Sequence, residues 1–259
     1  MDRDTLRSIA QQLKQAERSG IAVPQISRAN PGLTVDDAYR IQLTNIDLEV
    51  AGGRRIVGKK IGLTSPPMQQ LLGVDQPDYG HLLDSMQVKG GKTPLKGLLQ
   101  PKVEGEIAFV LKRDLTGDQN TVQTVLDATD YVVAAIEVVD SRVADWRITI
   151  VDTVADNASS GLYVLGDTRC AVTDIDRKGI CMGLYKNGQL LNQGQGSAVL
   201  GDPAYAVAWL ANMLHRYGVP LKAGEIILSG ALTAAVPAQA GDCFTAQFDT
   251  LGDVKLCFE

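Results

Sequence analysis

Apolar residues in the first fifty positions recur with the spacing of an α-helix. Leu6, Ile9 and Leu13 lie three or four positions apart, which predicts a helix that buries one face. Thr34 followed by Asp37 resembles a capping box, in which each side chain accepts a hydrogen bond from the other residue's backbone N–H. A second helix is therefore expected to begin at this point, and the glycines at 52–53 are expected to end it.

Beyond residue 53 the chain changes to short apolar runs bounded by glycine, asparagine and aspartate, a pattern typical of β-strands. Asn187-Gly188 lies between two such runs and predicts a hairpin turn, because both residues tolerate positive φ. Short helices are expected at 68–72, 121–128 and 203–217. The expected strands are 55–62, 103–111, 131–139, 161–165, 183–191, 225–229, 243–248 and 254–258. The pattern predicts an α+β chain, with a helical N-terminal part and a mostly β core.

Composition narrows the classes of protein that the chain can represent. Its 259 residues suit one large domain or a core with a smaller cap, and 45% hydrophobic against 21% charged residues excludes a disordered chain. The net charge of −5 argues against nucleic acid as the main partner. The N-terminus is charged and has no signal-peptide core, and no apolar run approaches about 20 residues, so we expect a cytoplasmic protein.

Cysteine and histidine are scarce, and this limits the available chemistry. The four cysteines, Cys170, Cys181, Cys243 and Cys257, are far apart and show no C-x-x-C spacing, so reduced thiols are expected rather than a zinc or redox site. The chain has only two histidines. Metal or acid/base chemistry would therefore have to use carboxylates and lysine.

Three carboxylates on two predicted strands are the strongest candidates for chemistry. Glu104 and Glu106 share one face of a strand, because residues i and i+2 point the same way, and Glu137 stands among apolar neighbours on another strand. Such carboxylates repel one another unless they are solvated, share a proton or bind a cation, and oxygen ligands suit Mg²⁺ or Mn²⁺. The spacing alone fits equally well a solvated strand face, with Glu137 paired to a surface arginine.

The remaining polar candidates are weaker. Lys59 and Lys60 form either a surface pair or a pair in which one lysine faces a pocket. The segment 152–161 is dense in small polar residues and is either a loop with Asx turns and a helix cap, or a loop that shapes a site. His81 and His215 lack an evident partner, and packed or surface positions are expected for both.

Seven short segments occur in an order that is specific for one family. They are 57–65, 76–80, 104–106, 137–142, 156–159, 207–212 and 221–230. The series resembles the 2-hydroxypenta-2,4-dienoate hydratases of aromatic meta-cleavage pathways, which belong to the fumarylacetoacetate hydrolase superfamily. The resemblance runs from about residue 34 to the C-terminus. It implies a mixed β-roll core, at about 76–259, with a smaller N-terminal helical and strand cap, at about 1–75.

The resemblance also implies a set of site residues. A Mg²⁺ or Mn²⁺ ion would be held by Glu104, Glu106 and Glu137. Lys60, rather than Lys59, matches the family lysine and would assist the substrate's 2-oxygen or carboxylate, while Asp78 would position water or shuttle a proton. The residues expected to bind the substrate's carboxylate or tail are Ser159, Ser160, Leu162, Gly230 and Thr233. Expected partners are a small 2-hydroxydienoate or 2-oxo acid substrate, further copies of the chain, and the decarboxylase of the same pathway.

Two sister activities of the superfamily are weighed against the hydratase. The 4-oxalocrotonate decarboxylases share the metal site, but Asp78 and Leu162 resemble the hydratases, since those decarboxylases tend to have an apolar residue and an arginine there. The stretch 230–236 is closer to the decarboxylases. Hydrolysis of a C–C bond would need a histidine to activate water. His81 is the only nearby candidate, and its position in what resembles a turn disfavours this role. A non-catalytic partner of a decarboxylase would have no need of a metal site.

The implied reaction adds water to C4 of ketonised 2-hydroxypenta-2,4-dienoate and gives 4-hydroxy-2-oxopentanoate. A pocket for a second carboxylate should carry a cation, because a buried unpaired carboxylate is costly. With Leu162 in place of an arginine, a short uncharged tail is expected to be preferred over a six-carbon dicarboxylate. Arg142 and Arg147 are the other cations that could reach such a pocket.

Overall fold

The computed structural model describes residues 1–66, 69–70 and 73–259. The N-terminal part consists of α1 (Arg3–Ser19), α2 (Ile26–Ala29) and α3 (Val35–Ala51). Asp2 caps α1 by accepting a hydrogen bond from the backbone N–H of Thr5, and the apolar positions at helical spacing form its buried face, as predicted. The capping box of Thr34 and Asp37 opens α3, also as predicted. The helix expected at 68–72 includes residues 68, 71 and 72, which lie outside the described residues.

Strands dominate the rest of the described chain. They are β1 (Ile56–Gly62), β2 (Asp78–Leu83), β3 (Lys92–Thr93), β4 (Pro101–Leu111), β5 (Thr129–Asp140), β6 (Ser160–Leu165), β7 (Cys181–Lys186), β8 (Gln189–Gln195), β9 (Ile226–Ala231), β10 (Val236–Pro237), β11 (Cys243–Phe248) and β12 (Gly252–Phe258). The helices between them are α4 (Val122–Ala128), α5 (Ile150–Ala155) and α6 (Pro203–His215).

The larger sheet is mixed and curls into a roll. Its strand order is β2-β1-β9-β4-β5-β6, with β10 also paired to β4, and β1 runs parallel to β9 while the other pairs are antiparallel. The segment after β2 reaches β6, where the N–H of Val88 donates to the carbonyl of Tyr163 at 2.8 Å, so the two ends of the sheet meet. Leu82, Ala108, Val133 and Leu228 are buried together inside this roll. The arrangement confirms the predicted α+β fold with a mixed β-roll core.

The smaller sheet covers the outside of the roll. Its strand order is β3-β12-β11-β7-β8, and β11 and β12 contact β5. Val103, Ile107 and Phe109 of β4 point into the apolar core between the two sheets, whereas Ala108 points into the roll. The side chains of β4 therefore alternate between the two faces of the sheet, as the period of two predicts. This alternation directs Glu104 and Glu106 toward the inside of the roll.

The predicted hairpin is confirmed, and three other expectations need correction. Asn187 and Gly188, with φ of 53° and 81°, connect β7 to β8. The segment after residue 77, expected to turn at 79–80, is strand β2, which is buried along its whole length and so shows no polar alternation. Part of the polar segment 152–161 is helix α5, which begins after a Thr149 cap.

The expectation that all four thiols are reduced is also wrong. Cys243 and Cys257 face each other across the antiparallel pair of β11 and β12, and they form a disulfide. Cross-strand neighbours can be bonded although they are 14 positions apart in sequence, and their spacing carries no signal of the pairing. Cys170 and Cys181 are free.

The N-terminal segment shares the larger sheet with the core. The boundary expected at residue 75 falls between β1 and β2, which are hydrogen-bonded neighbours. The first helices therefore cap a sheet to which their own segment contributes an interior strand. In the part of the chain that the structure describes, no helix combines the length and the apolar character needed to cross a membrane.

Candidate active site

The three glutamates predicted from the strand pattern meet inside the roll. Glu104 of β4 lies directly opposite Glu137 of β5 in the antiparallel register, and Glu106 stands two residues further along the same face. One carboxylate oxygen of each lies within 4.8 Å of the others. Glu106 and Glu137 are fully buried, and Glu104 is partly exposed to a cavity.

Several oxygen atoms of this cluster have no hydrogen-bond partner. Gly230 donates its backbone N–H to one oxygen of Glu106 at 2.8 Å, but the other oxygen of Glu106 and both oxygens of Glu137 are buried without one among the described residues. Burial, together with the repulsion between neighbouring carboxylates, raises the pKa of Glu104 to about 7 and raises the pKa of Glu106 and of Glu137. Converging buried carboxylate oxygens that accept no hydrogen bond are what a hard divalent cation needs, so the residues fit Mg²⁺ or Mn²⁺.

Lys60 is buried beside this cluster. Its ammonium lies 3.3 Å from an oxygen of Glu137 and donates a hydrogen bond to the carbonyl of Ala158 at 3.0 Å. Burial alone would lower the pKa of Lys60, but the surrounding carboxylates, Glu137 foremost, raise it above its ordinary value. The ammonium is therefore held in its charged form while the carboxylates are ionised.

Lys59 points to the opposite face of β1 and has a different role. It forms a buried ion pair with Glu225, whose second carboxylate oxygen accepts the backbone N–H of Lys222. This pair connects β1 to the start of β9. The structure thus brings Lys60 to the carboxylates, and it leaves Lys59 with a contact inside the fold.

Asp78 faces Lys60 from β2. It lies opposite Gly62 in the register of β1 and β2, where a side chain would collide with the Asp78 carboxylate, so glycine makes room for it. The hydroxyl of Thr153 on α5 donates to one oxygen of Asp78 at 2.6 Å, and the other oxygen is buried without a hydrogen-bond partner in the described chain. One oxygen of Asp78 is therefore fixed and the other is available to a ligand.

The loop that carries Ala158 is backbone-strained and firmly held. Asn157, Ala158 and Ser159 all have left-handed φ, between 51° and 54°, which is unfavourable for residues other than glycine. The Asn157 side chain accepts from the N–H of His81 and donates to its carbonyl, which ties the loop to β2. Such a conformation persists only where several contacts impose it.

A buried ion pair supplies the other restraint on this loop. Arg142, at the end of β5, donates to the side chain and the carbonyl of Asp156 and to the carbonyls of Asp140 and Ser160. Its guanidinium thus holds both ends of the strained segment. Because these contacts occupy Arg142, and exposed Arg147 lies near Asp145, neither arginine lines the cavity described next.

The site opens into a cavity of about 480 Å³. Lys60, Asp78, Glu104, Thr153 and Ser159 line it. Its wall also includes Lys102, Trp146, Ile148 and the stretch 231–235, which contains Thr233. The Lys102 ammonium rests over the Trp146 ring, 4.1 Å from its centroid, and burial lowers the pKa of Lys102.

The other residues expected to bind substrate lie elsewhere. Gly230 contacts Glu106 through its backbone and is not a wall of the cavity. Ser160 and Leu162 line a second cavity, of about 330 Å³, between the N-terminal helices and the strained loop. Alternation along β6 and the turn of the loop carry these two side chains away from Lys60.

Three residues of the cavity were missed by the sequence analysis. Lys102 stands two positions before Glu104, so the same period of two could have placed it on the functional face. Thr153 lies in the segment 152–161 that could shape a site, but its position on a helix was not expected. Trp146 comes from a loop whose position depends on tertiary packing, and no local pattern marks it. His81 is buried, and its Nδ1 lies 2.9 Å from the side-chain oxygen of Gln42. Burial lowers the pKa of His81 to about 3.

Comparison with known proteins defines the class to which this fold and site belong. The family described as Fumarylacetoacetate (FAA) hydrolase C-terminal matches residues 79–258. The chain belongs to the fumarylacetoacetate hydrolase family, and within it to the group of the 2-keto-4-pentenoate hydratases.

Curated relatives that match over nearly their whole length support the assignment to the hydratase group. A 2-keto-4-pentenoate hydratase of Paraburkholderia xenovorans is 51% identical over 251 residues, covering 96% of this chain and 93% of its own. Another from Burkholderia vietnamiensis is 48% identical, covering 99% and 98%. A 2-hydroxyhexa-2,4-dienoate hydratase of Comamonas testosteroni is 47% identical, with the same coverage. These relatives are hydro-lyases by name.

A solved structure with the same architecture comes from the sister activity. The 4-oxalocrotonate decarboxylase from Pseudomonas putida G7, complexed with magnesium and adipate, superposes with a TM-score of 0.97 at 35% identity, covering 100% of this chain and 99% of its own. A second structure of it, with calcium and acetate, gives a TM-score of 0.95. Relatives with this architecture therefore bind divalent cations.

Proposed function

We propose that this chain is a metal-dependent hydratase that converts 2-hydroxypenta-2,4-dienoate, or its methyl homologue, and water into the 4-hydroxy-2-oxo acid. The observation that carries the proposal is that Glu104, Glu106 and Glu137 converge beside Lys60, and that Glu104, Lys60 and Asp78 line a single cavity. Relatives that are 46 to 51% identical over nearly the whole chain carry the names of such hydratases.

A divalent cation is the proposed cofactor. Glu104, Glu106 and Glu137 would hold it, since their unpartnered oxygens converge inside the roll. When bound, such a cation polarises the 2-oxo acid group of a substrate and lowers the energy of negative charge on the C2 oxygen. Mg²⁺ and Mn²⁺ both suit an all-carboxylate set.

Lys60 is proposed to bind the polar head of the substrate. Its ammonium is charged, buried and fixed between Glu137 and Ala158, so its remaining N–H can donate to the substrate's C2 oxygen or carboxylate. A preorganised donor of this kind stabilises charge that develops on the C2 oxygen. Ser159 and the backbone of 231–233 lie on the same cavity and are proposed to hold the carboxylate.

Asp78 is proposed to handle a proton or the attacking water. Ketonisation places a proton on C5, water then adds at C4, and a further proton arrives at C3. The free oxygen of Asp78 can accept a proton from the water that attacks C4, while Thr153 fixes the other oxygen. Asp78 lies opposite Gly62, where its carboxylate and the Lys60 ammonium are neighbours, so both can act on the same bound molecule.

The decarboxylation of 2-oxohex-3-enedioate is the second candidate. It is favoured by the superposition on the decarboxylase structure and by Lys102, a cation on the cavity wall that the sequence analysis did not consider. A C–C bond hydrolase is disfavoured, because buried His81 donates to Gln42. The intact cluster of carboxylates and lysine disfavours a non-catalytic partner. Assembly into a homo-oligomer, a complex with the pathway's decarboxylase and a cytoplasmic location stay predictions.

Product analysis separates the two candidates. Purified protein with Mg²⁺ would receive fresh 2-hydroxypenta-2,4-dienoate or, separately, 2-oxohex-3-enedioate at the same metal concentration. A higher kcat/KM for the five-carbon substrate, with 4-hydroxy-2-oxopentanoate as product, supports the hydratase. Preferential release of CO₂ from the dicarboxylate would replace it with the decarboxylase. Glu106→Gln protein is the matched control, since it should be inactive in both assays.

A further inference from the structure

A glutamine of the N-terminal helices lies buried behind the site. Gln42 on α3 is 1% exposed, and it does not line the cavity that Lys60 lines. Its side-chain nitrogen donates to the carbonyl of Tyr79 at 3.0 Å and to the carbonyl of Val154 at 2.7 Å. Both N–H groups of the amide are therefore used, one on the backbone of β2 and the other on the backbone of α5.

These two carbonyls belong to the immediate neighbours of a hydrogen-bonded pair in the proposed site. Tyr79 follows Asp78 on β2. Val154 follows Thr153 on α5. The hydroxyl of Thr153 donates to Asp78 at 2.6 Å. One amide group thus fixes the distance between two backbone positions, each of which is one residue away from a partner in that hydrogen bond.

Both elements need a side chain at these points. β2 is the end strand in the order of the larger sheet, and its backbone at positions 79 and 81 bonds outward to the side chains of Gln42 and Asn157. The last carbonyls of a helix have no intrahelical partner, and Val154 is the last residue but one of α5. A buried carbonyl left without a donor is unfavourable, so Gln42 completes two ends that the backbone leaves open.

The orientation of the amide is fixed by its third contact. Carbonyl oxygens only accept hydrogen bonds, so Nε2 of Gln42 has to face them and Oε1 has to face the other way. Nδ1 of His81 lies 2.9 Å from Oε1 and donates to it. His81 stands on β2 two residues after Tyr79, so the same strand that Gln42 holds also sets the rotamer of Gln42.

We propose that Gln42 is a positioning residue, which acts on the proposed hydration by holding Asp78 and Thr153 at hydrogen-bonding distance. The other oxygen of Asp78 then stays available to the bound molecule. The proposal rests on the proposed function for the role of Asp78, and it gives the N-terminal helices a part in turnover that is separate from covering the sheet.

A second attachment of α5 makes this role testable without unfolding the helix. Ser27 on α2 donates its backbone N–H and its hydroxyl to Asp152, both at 2.7 Å. Asp152 is fully buried in the first half of α5. Because this contact does not involve Gln42, loss of the glutamine amide should displace the Asp78–Thr153 pair and leave α5 attached.

Gln42→Met has nearly the length of glutamine but lacks its donors. At saturating Mg²⁺ its kcat for the dienoate should fall about tenfold or more, because a small displacement of a positioned group is costly. KM should change by less than about twofold, since Gln42 does not line the cavity. Combination with Thr153→Val should lower kcat little beyond the weaker single variant, because both changes break the same contact. A glutamine that serves stability alone would give losses that multiply.

Two other variants provide the controls. Ser27→Ala also removes a hydrogen bond between the N-terminal helices and α5, so it should lower the unfolding temperature and leave kcat unchanged. Gln42→Glu keeps the shape and serves where Gln42→Met does not fold. A neutral carboxyl has one O–H donor and can reach only one of the two carbonyls, so its kcat should lie between those of wild type and Gln42→Met.

A crystal structure of the Gln42 variant gives a readout that does not depend on activity. The oxygens of Thr153 and Asp78 should lie more than about 3.5 Å apart, beyond hydrogen-bonding distance. Wild-type kcat in the Gln42 variants, multiplied losses in the double variant, an equal loss in Ser27→Ala or a contact that persists near 2.6 Å overturns the proposal. If the contact opens but wild-type protein does not hydrate the dienoate, the proposed function is wrong and the positioning of Asp78 by Gln42 stands.

Discussion

The carbonyl of Ala158 accepts a hydrogen bond from the buried ammonium of Lys60, and Ala158 is the middle one of three consecutive residues with left-handed φ. The orientation of the lysine therefore depends on a backbone segment that is unfavourable in isolation. Arg142 and Asp156 hold that segment from the side away from the cavity. A pair of residues that does not line the cavity thus controls the position of one that does.

Variants of the buried ion pair between Arg142 and Asp156 should distinguish its effect on stability from its effect on the position of Lys60. Arg142→Met leaves Asp156 as an unpaired buried carboxylate, which should lower the free energy of unfolding by about 3–5 kcal/mol. The double variant Arg142→Met/Asp156→Asn should recover much of that loss. Its kcat should stay at least about tenfold below wild type, because the loop that orients Lys60 is released. Urea unfolding and steady-state kinetics of the single and double variants provide the comparison. Full turnover in the double variant would show that the pair serves stability alone.

Activity should require the metal ion. In metal-free protein the clustered carboxylates should lower the stability of the fold. EDTA should abolish turnover, and Mg²⁺ or Mn²⁺ should restore it. Glu106→Gln keeps the shape of the side chain but removes one of three buried charges, so metal affinity should fall by more than tenfold, while the metal-free protein should unfold at the same temperature or higher. Calorimetric titration with Mg²⁺ and thermal unfolding with and without EDTA measure both effects. Full activity in metal-free protein would contradict the carboxylate site.

The hydrogen bond from Thr153 to Asp78 should matter for turnover. Asp78→Asn should lower the hydration rate by about 10²-fold or more, since positioned acid/base groups contribute about 10²–10⁴. Thr153→Val has nearly the same shape but lacks the hydroxyl, and it should lower kcat by a smaller factor of about ten with little change in Mg²⁺ affinity. The measurement is kcat and KM for the dienoate at saturating metal. An Asp78→Asn protein with wild-type turnover would reduce Asp78 to a structural residue of β2.

Buried His81 should make the fold sensitive to acid. Its pKa is lowered to about 3 in the folded protein, whereas the ordinary value is 6.5. As the pH falls below 6.5, the unfolded chain binds a proton that the folded chain does not, so this group removes stability. Between pH 7 and pH 5 the loss is about 2 kcal/mol. The His81→Gln protein lacks this effect. The difference in the free energy of unfolding between wild type and His81→Gln should therefore become smaller by about 2 kcal/mol from pH 7 to pH 5. A difference that does not change with pH would show that His81 takes up its proton in the folded state.

Periodicity predicted the parts of the site that lie on regular strands. Glu104 and Glu106 were placed on one face by the period of two, and the chemistry of carboxylates then indicated a hard cation. The contribution of α5 could not be predicted, because its six residues are mostly β-branched and form a helix only through tertiary contacts. Strand β2, which carries Asp78, is buried on both faces and therefore lacks alternation.

The wall of the cavity formed by Lys102 and Trp146 was the least predictable region. Trp146 reaches Lys102 from a loop in which Asp145 and Trp146 both adopt left-handed φ, and no propensity argument places such residues. Leu162, which is expected to limit the length of the substrate's tail, lies on the second cavity and not on the one that Lys60 lines. A residue can match a position in a family pattern while its side chain lines a different cavity.

The central place of β1 in the larger sheet bears on how this architecture can evolve. The strand lies between β2 and β9 and carries Lys60, yet it belongs to the N-terminal segment that precedes the matched family region at 79–258. A recombination event near residue 75 would import a strand whose two edges must fit both neighbours, together with a lysine that must meet Glu137. The N-terminal segment cannot be exchanged as an independent module. The lysine strand and the carboxylate strands have to be inherited together.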